Sequence, residues 1–522
     1  MSRTFAFTHQ EASLLRRTET GLASPLCVAS AKLVLQLAGI THYGPFRDEL
    51  YYRACGQNLA WGYIDQPPLI AAVAWLTRHL FGDSLPAMRL FPVLAGAFVV
   101  LLTGLLAREM GGGRFAQFLA AAAVLFAPAI QAFDSFLSMN AFEPVFWMLC
   151  AYLVIRMIKG ADTRLWVLVG LVSGVGVLNK HTMLIYGFAT VLGLLLTPER
   201  RLLKNPWLWL GGLIALTICL PNLLWEAHHN WPQIEVVRNG REFKIASVGA
   251  MRFLFEQFLF LQPVSFPIWV GGLGWLLFSR EGRGFRCLGW TYLVVMGIFM
   301  GLHGKTYYPL PGYPVLMAAG GIAFEHLLQA PRWAWLRWSY AALLALAGVA
   351  TIPYGVPILP VEAFVHYDSA LGLAHTVKTE RERLGPLPQL YADMIGWRDM
   401  TATVARVYHS LPVDEQESCA ILAGNYGEAG AIDYYGGELG LPQAISPHNN
   451  YFLWGPRSYT GECVVLFGDR AEEIKTNFAE VRPSATIIRR YSMPLENDLP
   501  VYICRRPRTP LANLWPSLKY YI

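Results

Sequence analysis

Only 15% of this 522-residue chain is charged, yet Asp48, Glu49 and Asp65 lie together in "FRDELYYRACGQNLAWGYIDQPPLI", residues 46–70, close to apolar runs. A carboxylate at the rim of a bilayer is costly unless solvated or paired, which makes it a functional candidate by default. The bland alternative for Asp48 and Glu49 is a helix start, where the dipole favours acids. Repetition weighs against that alternative. Asp134 and Glu143 lie in "FDSFLSMNAFEPVFW", Lys180 in "GVLNKHT", Arg89 in "PAMRLFPVLAG", and Lys305 and Tyr307 in "HGKTYYPLPGYP". Lone snorkelling side chains would explain the bases but not the acids. A pocket rimmed by both suits an amphiphilic phosphate substrate: its tail lies between helices, cations hold the phosphate, and a carboxylate activates an incoming hydroxyl. In an inverting transfer of this kind, the departing phosphate needs no acid.

The elements that must position these residues follow from hydropathy. The chain is 54% hydrophobic with a mean hydropathy of +0.35, which is too apolar for an ordinary soluble protein. Apolar blocks at 26–41, 87–107, 115–131, 141–157, 165–178, 182–197, 207–225, 253–278, 287–302, 308–328 and 335–353 predict about eleven membrane helices. The short loops 108–114, 156–164, 198–206, 280–286 and 329–337 each carry at least two Lys or Arg, so they are expected on the cytoplasmic side. That puts the first outer loop, 42–86, and every residue singled out above on the other face. Within that loop, 47–61 has the spacing of an amphipathic helix lying at the interface. The segment 1–25 is polar and lacks the pattern of a cleaved leader, so it is expected in the cytoplasm, with the first span retained as an anchor. The domain 26–353 is thus expected to carry the chemistry. The formal charge of +6 belongs to these loops and gives no support for nucleic-acid binding.

Beyond Pro353 the apolar runs shorten. "CAILAG", "CVVLFGD", "ATIIRRY" and "PVYICRR" predict strands, and "RDMTATVARVYHSL" and "AEEIKTNFAEV" predict amphipathic helices. The expectation is an extracytoplasmic, periplasmic α/β domain over 360–522. Its cysteines, Cys419, Cys463 and Cys504, allow one disulfide or three unpaired thiols.

The order "DELYY…LAWGYIDQPPLIA…FGDSLPAMRLFPVLAGA", followed by "NKHTMLI", "WEAHHNWPQI" and "KTYYPLPGYP", resembles the polyprenyl-phosphate-sugar glycosyltransferases of the GT-C superfamily. The likeness is to family 39 and the aminoarabinose-transferase-like group, and it covers about residues 40–330. "GNYGEAGAIDYYGGELGLP…NNYFLWGP" is similar to the outer domain often appended there. The resemblance implies Asp48 as base or orienting group for the acceptor, Asp134 as a second essential acid beside Glu49, and Arg89 and Lys180 as contacts to the donor phosphate. Asp65 would shape the site or bind a cation. The next residue, commonly Lys or His in the family, is Gln66, which can hydrogen-bond phosphate but not neutralise it; Lys305 or Tyr307 would compensate. The implied partners are a polyprenyl-phosphate sugar, a lipid, glycan or protein acceptor, and membrane lipids. No cofactor is fixed, and a divalent cation is allowed.

Weaker signals remain. His228 and His229 beside Glu226 could bind a metal, but adjacent side chains diverge and no third ligand is set by spacing. An interfacial polar loop beside Trp225 and Trp231 is the favoured reading, and His303 is treated alike. "GNYGEAG" lacks the GxGxxG spacing of a dinucleotide site and reads as a glycine turn entering a helix. Trp61 and Trp454 are the aromatics to watch for sugar stacking. The rival functions are a transporter or flippase for a lipid-linked sugar and a chain that kept the fold without the chemistry. Acids at span ends, rather than at mid-bilayer in repeated halves, disfavour the transporter.

Overall fold

A computed structural model describes residues 21–244, 248–372 and 383–522. Most of the expected segment 1–25 lies outside the described residues; 21–25 lead into and begin the first helix, Ala23–Gly39. Helices occupy all eleven apolar blocks. Five are long and apolar enough to cross a bilayer, and three more would cross as pairs bent by 67°, 119° and 97°. The remaining three, Ala23–Gly39, Leu165–Asn179 and Tyr313–Leu327, have 17, 15 and 15 residues. The molecule is a multi-pass helical membrane protein with a small sheet domain after the last span.

The breaks fall where the backbone demands them. Pro128 and Pro263 each follow a helix end closely, and each lies at the start of the next helical segment, where its missing N–H goes unneeded. Close helix packing rests on small residues. A Cβ on Gly170 would meet Gly211 O of the Pro206–His228 helix at 2.1 Å, so these two helices touch backbone to backbone.

The C-terminal domain, called the outer domain after the side expected from its sequence, contains four strands: β1 (Ala420–Ala423), β2 (Cys463–Phe467), β3 (Phe478–Ile487) and β4 (Leu499–Pro507). Their order is β1-β2-β4-β3, with β1 and β2 parallel and the other pairs antiparallel. Cys419 and Cys463 form a disulfide beside the first strand pair, while Cys504 stays a buried thiol. The expected helix at 398–411 forms as Trp397–Tyr408. The one expected over 471–481 stops at Ile474, because from Phe478 the chain pairs with β4 as an exposed edge strand. Tertiary pairing overrides the local helical pattern there.

The first outer loop differs from an interfacial amphipathic helix. The Arg47–Gln57 helix is buried on nearly every side from Glu49 to Gly56. It is clamped between the Leu69–Phe81 helix and the outer domain's Tyr426–Tyr435 helix. A Cβ on Gly430 would come within 2.9 Å of Leu50 Cβ, which shows how tightly the outer domain is seated on it.

Candidate active site

Where the outer loop, the span ends and the outer domain meet, the structure encloses a cavity of about 1390 Å³. Asp48, Asp65, Lys180, Lys305, Tyr307 and Tyr426 make part of its wall polar. The cavity also borders apolar residues of two helices, Leu184 and Phe188 of Thr182–Leu195 and Gly212 and Leu216 of Pro206–His228, which together form an apolar groove. Leu184, Phe188 and Leu216 are exposed there, so the groove opens sideways onto the lipid-facing surface.

Asp48 sits in the first turn of the Arg47–Gln57 helix, and its Oδ1 accepts from Tyr426 Oη at 2.8 Å. Asp65 lies in the following loop, where its Oδ1 accepts from Tyr51 Oη at 2.8 Å. Burial pushes the Asp65 carboxyl up to about 6, the Tyr51 bond opposes that, and the Asp48 charge adds to it. Lys180 follows the Leu165–Asn179 helix in an extended conformation, donating to Asn140 Oδ1 at 2.8 Å and Glu143 Oε2 at 2.7 Å. Its ammonium lies 4.7 Å from the Tyr308 ring centre and 5.9 Å from that of Tyr307. Lys305 Nζ stands 5.7 Å from the Tyr307 ring centre.

Other sequence candidates are elsewhere. Arg89 does not line the cavity. It is fully buried, bound to Glu49 and to the carbonyl oxygens of Ile40, His42 and Gly44. Glu49 is likewise saturated, since its carboxylate also accepts from the backbone N–H groups of Phe46 and Leu137. Desolvation dictates both fates: a buried guanidinium takes the nearest carboxylate and carbonyls, leaving neither side chain for a ligand. Asp134 is paired with Lys32 inside the helix bundle, wedged against Gly96, where an added Cβ would lie 2.5 Å from its Cγ. Gln66 is buried with its amide 3.6 Å from Cys55 Sγ, and it does not border the cavity.

Glu143 stands behind Lys180, its carboxylate accepting from the lysine ammonium through one oxygen and from the Thr182 hydroxyl through the other. His229 stacks on Trp225 at 4.0 Å, and neither it nor His228 borders the cavity, though Glu226 does. Among the described residues, no three His, Cys, Asp or Glu side chains converge as metal ligands. Trp61 and Trp454 also stand off the cavity; the tryptophan that borders it is Trp231.

Sequence reasoning missed Arg47, Arg241, Lys244, Tyr52 and Tyr426, all in the cavity wall. A signal existed for two of them: "RNGREFK" puts three basic residues into an outer loop whose neighbours are poor in them. Tyr426 had none, because its role depends on a contact across 378 residues.

This architecture has counterparts. ArnT from Cupriavidus metallidurans, solved with undecaprenyl phosphate bound, superposes with a TM-score of 0.59 at 15% identity, over 95% of this chain and 98% of that one. The chain has the GT-C fold. A second GT-C structure is the archaeal oligosaccharyltransferase AglB from Archaeoglobus fulgidus, solved with an inhibitory peptide and a dolichol phosphate. It matches with a TM-score of 0.51 at 14% identity, over 87% of this chain and 70% of that one. The family model for dolichyl-phosphate-mannose-protein mannosyltransferases matches residues 65–225, from Asp65 to Trp225. A lipid A galacturonosyltransferase, RgtD from Rhizobium johnstonii, is 25% identical over 223 residues, 40% of this chain; the match spans 46% of that relative's length. In this chain, Asp65 and Lys180 fall within the family-model region, while Asp48 and Tyr426 reach the same cavity from outside it.

Proposed function

We propose that this protein is an integral-membrane glycosyltransferase that moves a sugar from a polyprenyl-phosphate carrier to an acceptor hydroxyl on the periplasmic face of the inner membrane. The observation that carries this reading is the continuity of one cavity: an apolar groove open to lipid runs into a chamber holding Lys180 and Lys305 on one hand and Asp48 and Asp65 on the other. A transporter would need amphiphilic space too, but it would not need a carboxylate held by a tyrosine beside a caged lysine.

In this reading the prenyl tail lies along Phe188 and Gly212. Lys180 receives the phosphate, its orientation fixed by Asn140 and Glu143. Asp48 accepts the proton of the acceptor hydroxyl as that oxygen bonds the anomeric carbon. The bond from that carbon to the phosphate oxygen breaks with its electron pair, and polyprenyl phosphate leaves as an anion that needs no proton. Attack opposite the departing group inverts the anomeric centre. Asp65 shapes the wall beside Asp48. The acceptor approaches from the side of the outer domain, whose disulfide fits an oxidising compartment. A glycolipid acceptor accords with the relative that acts on lipid A.

The test is to incubate purified protein in nanodiscs with radiolabelled polyprenyl-phosphate hexoses, pentoses and uronic acids plus envelope lipids. Free polyprenyl phosphate and a labelled glycolipid or glycoprotein are expected from at least one donor. Transfer of label between leaflets without a new glycosidic product would make the chain a flippase and end the proposal.

A further inference from the structure

Two acids of the chamber, Asp48 and Asp65, are held by side chains whose own positions depend on the outer domain. Tyr426 is the first residue of the Tyr426–Tyr435 helix, and that turn is rigidly capped. Asn425 Oδ1 accepts from the N–H groups of Gly427 and Glu428 at 2.9 and 3.0 Å, and Glu428 Oε2 accepts from Asn425 N at 3.1 Å. The Tyr426 ring stacks on Tyr51 with centres 4.6 Å apart and packs against His448 at the same distance. With the ring fixed on two sides, its hydroxyl reaches Asp48 Oδ1 at 2.8 Å. Asp65 is reached through Tyr51. Asn450 of the outer domain donates its backbone N–H to Tyr51 Oη at 3.4 Å, and its Oδ1 accepts from Ile64 N at 2.7 Å, next to Asp65.

We propose that Tyr426 is a positioning residue for the transfer reaction, donated to the membrane site by the outer domain, and that its hydroxyl fixes the Asp48 carboxylate so that Oδ2 faces the acceptor. The inference rests on the glycosyltransferase reading above. The phenol acts only as a donor: burial and the neighbouring Asp48 charge hold its proton firmly. With Oδ1 occupied, one oxygen remains to take the proton of the attacking hydroxyl. The rotamer is thus set before substrate arrives, which is the arrangement that spares a base the entropy of finding its pose. The outer domain then completes the active site rather than merely covering it.

The experiment compares the full chain with Tyr426→Phe, which keeps the stack on Tyr51 and deletes only the hydroxyl. Steady-state rates are taken with polyprenyl-phosphate sugar as donor and normalised to titrated donor-binding sites, so a partly folded preparation is still scored. The expected result is a fall in kcat of about 10- to 100-fold, the worth of one hydrogen bond to a charged group, with donor KM within about threefold of the parent. A kcat equal to the parent's, or a loss confined to KM, overturns the proposal. Asp48→Asn separates the two layers. If the parent turns over, Asp48→Asn is inactive and Tyr426→Phe is unimpaired, the positioning role alone fails. If the parent forms no product from any donor, the glycosyltransferase reading fails with it.

Discussion

Glu49 and Arg89 form a fully buried ion pair, 2.9 Å from Oε2 to Nη2, at the root of the first outer loop. The pair ties the Arg47–Gln57 helix to the start of the Leu85–Glu109 span and, through the carbonyls of Ile40 and His42, to the end of the first helix. Neither side chain borders the cavity, so the pair fixes the loop that carries Asp48. Replacing one partner strands the other in a dry interior, at a cost of about 3–5 kcal/mol. Arg89→Met and Glu49→Gln should therefore lower folded yield and the thermal midpoint in detergent. The molecules that do fold should keep their donor KM, as read by fluorescence-detected size exclusion beside kinetics.

Lys180 is expected to behave in the opposite way. It faces the cavity and is held by Glu143 and Asn140, so Lys180→Gln should leave the fold intact. Loss of a charge-assisted contact to phosphate should raise donor KM by about 10- to 100-fold. Glu143→Gln should give a smaller rise, because the lysine remains but is less firmly aimed. An unchanged KM in Lys180→Gln would remove the phosphate from this end of the chamber.

The groove offers a test by volume. Gly187 and Gly212 border the cavity, and an added Cβ at either meets nothing within 4 Å. Gly212→Trp should fold normally and obstruct a long tail. KM should rise for a full-length polyprenyl donor and change little for one carrying a single isoprene unit. Equal effects on both donors would move the tail elsewhere.

Asp65 supplies a pH signature of stability. Burial raises its pKa from an ordinary 3.8 to about 6 in the folded chain, so the folded form binds the proton more tightly than the unfolded one does. The contribution is full below about pH 4, is lost as pH rises from about 4 to about 6, and is flat above that. Thermal midpoints recorded from pH 3.5 to 7.5 should show this decline in the parent and a reduced slope in Asp65→Asn. Parallel curves would mean that the carboxyl is solvated in the empty cavity.

What could be seen in the sequence was whatever leaves a local mark. Apolar block lengths located the helices, and a carboxylate at a span end marked Asp48. Paired residues left no such mark. Arg89 looked like a phosphate ligand because its partner Glu49 lies 40 positions away, and Asp134 looked like a free acid because Lys32 lies 102 positions away in an otherwise apolar span. In a low-dielectric interior, charges resolve themselves by pairing, and only three-dimensional proximity tells which are consumed in that way. Four groups, Asp48, Asp134, Arg89 and Lys180, were expected in one chamber; Asp48 and Lys180 reach it, and the structure adds Tyr426 and the basic segment 240–244. The Arg47–Gln57 helix was misplaced for the same reason, since its cover comes from a domain nearly 380 residues downstream.

The central claim is that Asp48 takes the acceptor's proton in a transfer from a lipid-linked phosphate. The most direct measurement is single-turnover transfer with Asp48→Asn against the parent, enzyme in excess over donor, in nanodiscs. The amide preserves shape and can still accept from Tyr426, but it is a far weaker base. A loss of at least about 100-fold in the transfer rate is expected, with donor binding intact; a variant that turns over at the parental rate would contradict the account.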